Sequence, residues 1–342
     1  MATVLPPKSS ERPLSILNFI SRFRSKKRKN GKPREIQTPQ ESHQDTRPPL
    51  IPAPLPLVLP EHQHTLSTLG WTTVTFPQSS QNYRPPSRSS LLESDFQAPG
   101  LGPHPLQTAY ENLFAASQAF FNQQDEQKQQ WKHKLGSEEG WSKIAGEKEF
   151  ITLRTLEYCP EVLRGPAKRY WDLMGAHLST TLGRISTSLG LPDGEEEGLR
   201  QYVGSCGVMQ ESNEKKTATM LRLFRYEGWE AKVVAEPHAD LGLLSVVVGN
   251  VPGLEVWDAH SWFAVEKEVE KAGMKGASML GGRQLERLSN GRYPAGGHRV
   301  VSYGLPNPSS SPLPESEDKK HRFSIVFVLR AHEPTIINSD TL

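Results

Sequence analysis

Two hydrophobic periods divide the chain. Tyr110, Leu113, Phe114, Ser117 and Phe121 recur at the spacing of one helical face, and "QQDEQKQQ" supplies a polar end. The spacing predicts a helix over about 105–131. A longer stripe of Tyr170, Met174, Leu178, Leu182, Ile185 and Leu189 predicts a second helix over about 165–190, closed by "GLPDGEEEG". His177 sits on that stripe and reads as a core histidine, not a ligand. From about residue 218 the period shortens to two. "TMLRLFRY", "AKVVA", "GLLSVVV", "LEVW", "WFAVE", "HRVVSY" and "RFSIVFVLR" read as short strands separated by Gly- and Pro-containing turns. "LGWTTVTFP", 69–77, adds an earlier strand. Short punctuated strands behind helices predict a mainly β fold with flanking helices (α+β), built on a jelly roll.

The first 62 residues follow neither period. They are rich in Pro, Ser, Gln and basic side chains, a composition that predicts a disordered tail over 1–62. Residues 63–342 then form one folded body, long enough for a single enlarged domain. "LSILNFI" followed by "SRFRSKKRKNGKPR" pairs an apolar run with a basic one. Three readings stay open: a solvated tail, a nuclear-localisation or nucleic-acid patch over Lys26–Lys29, or an amphipathic contact with a membrane surface. Net charge is +2 over 342 residues, so the whole chain is not a polyanion binder. The folded part lacks a basic stripe interleaved with aromatics, so no strong nucleic-acid signal exists there. No apolar run approaches the roughly 20 residues of a membrane span. Cys159 and Cys206 match no disulfide or zinc spacing, which favours an intracellular, cytoplasmic setting. No glycine-rich nucleotide motif is present.

Candidate chemistry concentrates in three places. In "EPHADLGLLS" His238 and Asp240 are two apart, so on a strand they face one side. An imidazole and a carboxylate together are two thirds of a metal site. Of the downstream histidines, His260 lies in a turn, His321 ends a charged loop and His332 is near the end of the sequence. His298 follows the small residues of "PAGG" and opens a strand, which favours it as third ligand. Two imidazoles and one carboxylate with open positions suit non-haem Fe(II). Arg322 and Ser324 are again two apart, and a guanidinium with a hydroxyl suits a carboxylate. The alternative is a structural Arg322 paired to an acid such as Glu286.

The ordered set His238-x-Asp240, His298-Arg299-Val300, Arg322-x-Ser324 resembles the 2-oxoglutarate- and Fe(II)-dependent dioxygenases, most closely the isopenicillin N synthase-like group. "HADLGLLSVV", "GLEVWDAHSWFAVE" and "LERLSNGRYPAGGHRVV" resemble the connecting segments of that group, and "LRLFRY" resembles its strand ending in a cosubstrate-contacting tyrosine, here Tyr226. The resemblance covers about 215–332, extends loosely to the helices, and leaves out the first sixty residues. It departs at Phe224, where many members carry Asn, at Arg283, where Asp is usual, and in a long loop between Tyr303 and Arg322.

The resemblance implies a double-stranded β-helix core and an Fe(II) site of His238, Asp240 and His298. It also implies 2-oxoglutarate held by Arg322, Ser324 and Tyr226, O2 as oxidant and ascorbate as reductant. The implied activity is hydroxylation or desaturation of a small organic molecule with release of succinate and CO2. An inactive binding protein on the same frame and an oxygenase of macromolecules are the rival readings; turnover of 2-oxoglutarate to succinate separates the first. Trp257, Trp262 and Phe327 read as core. Substrate identity and oligomeric state are not encoded in any motif.

Overall fold

Alternation along the strands builds two facing antiparallel sheets. The computed structural model describes residues 47–76, 103–227, 231–304 and 321–332. Its elements are α1 (Thr65–Leu69), β1 (Trp71–Phe76), α2 (Pro105–Phe121), α3 (Asp125–Lys128), β2 (Gly140–Ile144), β3 (Lys148–Leu153) and α4 (Glu161–Ser188). The strand-rich part follows: β4 (Met220–Tyr226), β5 (Ala231–His238), β6 (Leu244–Gly249), β7 (Leu254–Trp257) and β8 (Trp262–Phe263). It closes with α5 (Val265–Lys271), β9 (Lys275–Gly281), α6 (Arg283–Leu288), β10 (His298–Tyr303) and β11 (Arg322–Leu329). The larger sheet runs β1-β9-β6-β11-β4-β3-β2 and the smaller β5-β10-β7-β8. This is the jelly roll with flanking helices that the periodicity predicts.

The two faces of the larger sheet bury different partners. Leu221, Leu223, Phe323, Ile325 and Phe327 point toward the helices, where they meet Trp171, Tyr170 and Leu113. The alternate positions point between the sheets: Tyr226, Val247 and Leu280 meet Leu254, Val256 and Val300 of the smaller sheet. Each strand therefore has a packing face and a face that lines the jelly-roll interior. Phe327 is core, as expected. Trp257 is 40% exposed, a correction: it lies near the edge of the smaller sheet, stacked edge-on against half-buried Trp262.

Several boundaries differ from the periodicity. Packing begins at Leu50, not near residue 63. Leu55 and Leu59 are buried, and the Ile51 N–H donates to the Ser188 carbonyl at 2.9 Å. The Lys26–Lys29 run and the loop from 305 to 320 lie outside the described residues. The helix expected over about 105–131 ends at Phe121. Lys128 folds back and donates to the Phe121 carbonyl at 3.0 Å, a cation closing a helix C-terminus. The expected strand "WFAVE" yields to α5 after Phe263, because Val265 and Val269, four apart, are both buried. β2, β3 and β9 were hidden from the period. In β3 the polar alternate Glu149 is itself fully buried.

Glu149 is held by Lys128 at 2.9 Å, Arg225 at 2.5 Å and the Trp141 indole N–H at 3.0 Å. Removing one partner of a buried ionic cluster strands the others' charge. Glu149→Ala should lower unfolding free energy by about 3–5 kcal/mol, read by urea unfolding at neutral pH.

His177 packs as a half-buried helix residue with its Nε2 buried and unpartnered, and burial holds its pKa at about 4. An unfolded imidazole takes its proton near 6.5, so between about 6.5 and 4 the unfolded chain binds more protons. Stability contributed by the neutral ring is thus complete above 6.5 and falls as pH drops through that window. His177→Asn should flatten the decline by roughly 1–3 kcal/mol in urea melts at pH 7 and 4.5.

Candidate metal centre

β5 and β10 pair antiparallel with His238 opposite His298. Their ring centroids stand 4.2 Å apart. β5 stops at His238, so Asp240 lies two residues past the strand, not on it as the spacing suggested. Its carboxylate still turns to the same side. Asp240 Oδ1 is 3.9 Å from His238 Nε2, and Oδ2 is 3.9 Å from His298 Nε2. One ligand atom from each residue lies within 4.8 Å of the other two, the one such His/Cys/Asp/Glu group among the described residues.

Local backbone sets the donor atoms. His238 Nδ1 is 2.7 Å from the Glu236 carbonyl, and His298 Nδ1 is 3.1 Å from the Gly296 carbonyl. A carbonyl only accepts, so each Nδ1 carries the hydrogen and each Nε2 presents its lone pair to the centre. Burial lowers the His298 pKa against the pull of Asp240, which keeps this ring neutral and able to ligate. Asp240 Oδ2 is buried with no hydrogen-bond partner. A buried unpaired carboxylate oxygen is costly, and a bound cation would satisfy it. Side-chain exposure is 4% at His298, 16% at Asp240 and 48% at His238, so the centre opens on the His238 side.

Close backbone approach positions both loops. A Cβ at Gly296 would stand 2.2 Å from the Gly70 carbonyl oxygen, so the "PAGG" entry to β10 needs glycine there. The Arg283 N–H donates to the Asp240 carbonyl at 2.8 Å, while its side chain turns outward to Glu286 at 2.7 Å. The Arg283 departure therefore leaves the centre untouched.

A second polar group lies on the interior face of the larger sheet. Register places Arg322 opposite Tyr226 and Ser324 opposite Phe224. The guanidinium sits 5.6 Å over the Tyr226 ring. Burial pushes the Tyr226 phenol up to about 12, so it stays a hydrogen-bond donor at neutral pH. Arg322 does have an acidic partner, but it is Glu266 of α5 at 3.1 Å, not Glu286. Glu266 also accepts the Gly253 and Leu254 N–H groups at 2.7 and 2.8 Å. Sequence reasoning missed it because its segment reads as a strand. Arg322 Nη1 and Ser324 Oγ remain buried without partners, and both could donate to a carboxylate. His260 lies in an exposed turn and His321 beside Phe323, outside the centre.

Comparison with solved structures finds the same fold. A Shewanella oneidensis protein assigned as an oxygenase superposes with a TM-score of 0.53 at 19% identity, over 81% of this chain and 87% of that one. A Caulobacter crescentus protein assigned to the 2OG-Fe(II) oxygenase family gives 0.52 at 17% identity, over 81% and 85%. A Neurospora crassa protein crystallised with alpha-KG (2-oxoglutarate) and 5-formyluracil gives 0.53 at 18%, over 80% and 78%. No family model matches the chain, and no curated protein does. At these identities the likeness establishes a shared fold.

His298→Ala, Asp240→Ala and His238→Ala should each abolish tight Co(II) binding in equilibrium dialysis while the protein stays folded by circular dichroism. Wild-type metal affinity in any one variant removes that residue from the centre.

Proposed function

We infer that the chain is an Fe(II)- and 2-oxoglutarate-dependent oxygenase acting on a small organic molecule, of the isopenicillin N synthase-like type. The observation that carries this reading is the facial set His238, Asp240 and His298, with both Nδ1 atoms tethered to backbone carbonyls and both Nε2 atoms turned inward. The donor set suits ferrous iron and leaves positions for further ligands. The orphaned Arg322 Nη1 and Ser324 Oγ suit the distal carboxylate of a dicarboxylate cosubstrate. Structures of the same fold include one with alpha-KG bound. That support is of fold and geometry together.

Iron with 2-oxoglutarate and O2 supplies oxidative decarboxylation to succinate and CO2, joined to hydroxylation or desaturation of a substrate C–H bond. The chain's own residues bind and orient. His238, Asp240 and His298 hold the metal on one side. Arg322 and Ser324 fix the cosubstrate's far end, with Tyr226 beneath the guanidinium. Glu266 anchors Arg322 through Nη2 and ties it to the backbone at Gly253 and Leu254. The apolar residues between the sheets exclude water. Ascorbate would serve as external reductant keeping the metal ferrous. Buried free Cys159 and Cys206 fit an intracellular location.

The direct test is conversion of 2-oxoglutarate to succinate by purified protein with Fe(II) and ascorbate. No turnover with or without a cell extract would sink the reading. Arg322→Lys should raise the 2-oxoglutarate concentration for half-saturation about tenfold, because the charge-assisted contact offered by Nη1 is worth about 1.5–3 kcal/mol. Co(II) affinity measured without cosubstrate should hold. An unchanged titration with a lowered melting temperature would make Arg322 a structural partner of Glu266 alone.

A further inference from the structure

A polar cavity of about 490 Å³ lies on the helix side of the larger sheet, its walls including Asn122, Asp125, Lys128, Lys143, Arg225 and His321. Arg225 of β4 pairs with Phe323 of β11, which packs on the helices, so alternation turns Arg225 away from Tyr226 and the jelly-roll interior. Cations gather in this corner for a local reason. Lys128 and Arg225 both donate to the Phe121 carbonyl at the end of α2. Both also hold Glu149, which is fully buried and does not line the cavity. Lys143 of β2 reaches Asp125 at 2.7 Å, and Lys128 meets the same carboxylate at 3.1 Å.

Charge and unmet hydrogen bonds point to one kind of ligand. Lys128, Lys143 and Arg225 stand against Asp125 and Glu149, so the corner keeps one positive charge in excess. Arg225 Nε and His321 Nδ1 are buried with no hydrogen-bond partner. A guanidinium N–H only donates, so whatever satisfies Arg225 Nε is an acceptor. Burial and then the Arg225 charge lower the His321 pKa, against Glu227, Glu149 and the Tyr226 backbone. That ring is therefore neutral at pH 7 and adds a hydrogen-bonding atom without a further charge. Asp125 is the one acid among the lining residues, and hydrogen bonds from Lys143 and then Lys128 hold its carboxyl below the usual range. One oxyanion thus already sits between two ammonium groups. The volume is that of a small-molecule site, and the amides of Asn122, Gln123 and Gln124 suit a polar body.

We propose that this cavity is a second binding site, which takes a small polar molecule by an oxyanion, a phosphate or a carboxylate, held by Arg225, His321 and Lys143. The site is on the opposite side of the sheet from the candidate metal centre and does not depend on the oxygenase reading. The oxyanion accepts from Arg225 Nε and His321 Nδ1 and competes with Asp125 for Lys143. An anion cancels the excess positive charge, a neutral molecule leaves it in place and a cation adds to it.

The test is calorimetric titration of the full chain at constant ionic strength with two probes. Sulfate stands for a phosphate group, because its charge does not change near neutral pH, and acetate stands for a carboxylate. The expected result is saturable binding of at least one probe at one site per chain, and the tighter of the two names the group. Asp125→Asn removes the competing carboxylate and should tighten binding by about threefold, and Lys143→Gln should weaken it by about threefold, the scale of a partly exposed charge pair. Lys143 and Asp125 side chains are 31% and 42% exposed, and Lys128 still holds Glu149 in both variants, so neither change threatens the fold. The opposite signs separate ligand binding from a structural Lys143–Asp125 pair, which would leave probe affinity alone. No saturable binding of either probe to wild type, or unchanged affinity in either variant, overturns the proposal. So does a loss of binding in Arg322→Lys with Lys143→Gln unaffected, which would move the ion to the jelly-roll interior.

Discussion

Everything in the candidate centre depends on one backbone register, His238 opposite His298 across β5 and β10. Side chains alternate along a strand, so a one-residue slip of either strand would turn its ring to the outer face and part the pair. The register is pinned from both sides of β10. His298 also pairs with Val256 of β7, and the glycine-rich entry at Gly296 closes on Gly70 at a distance no side chain permits. Backbone carbonyls two residues before each histidine then choose the tautomer. The same short-range geometry thus sets which way the rings face and which nitrogen each offers.

Charge inside the jelly roll is arranged in three zones. Near the rim, Asp240 leaves a carboxylate oxygen unpaired. At the far end Arg322 and Glu266 neutralise each other, yet one guanidinium nitrogen stays unused. Arg222, and Lys148 at the level of Arg322, also face the interior and form no ion pair with a carboxylate among the described residues. A folded chain with every interior charge satisfied would be more stable and would bind nothing. Asp240 and Arg322 thus offer unpaired polar atoms from different parts of the fold, one from the loop after β5 and one from the larger sheet.

Much of this was legible in the sequence, for a physical reason. His298, Arg322 and Ser324 lie at or near the start of strands and His238 ends one, so alternation fixes their facing, whereas Asp240 lies past β5 and its loop turns it to the same side. The two flanking helices and most strands were legible because their apolar stripes are regular. What was hidden depends on tertiary pairing. Glu149 is buried only because Lys128, Arg225 and Trp141 converge on it from three elements, and a polar residue there breaks the period of β3. Glu266 looked like part of a strand, and only the α5 turn carries it to Arg322. The Pro-rich segment at 47–60 reads from composition as either a linker or the first contact with the folded body, and burial of Leu55 and Leu59 selects the second. Arg222 stood in a motif as one basic letter, and only register with Thr152 and Val326 shows that it points inward.

The cost of that interior falls on the opposite face of the same strands. β11 turns Arg322 and Ser324 inward and sends Phe323, Ile325 and Phe327 to the helices. β4 does the same with Arg222 and Tyr226 against Leu221 and Leu223. Burial of those apolar side chains, roughly 1.5–3 kcal/mol each, offsets orphaned polar groups of about 1–3 kcal/mol each. The helical layer is therefore part of the site's energetics although it touches none of the candidate ligands. It fixes one face of the larger sheet in the core while the opposite face keeps Arg322 Nη1 and Ser324 Oγ without hydrogen-bond partners, and the smaller sheet carries the exposed His238.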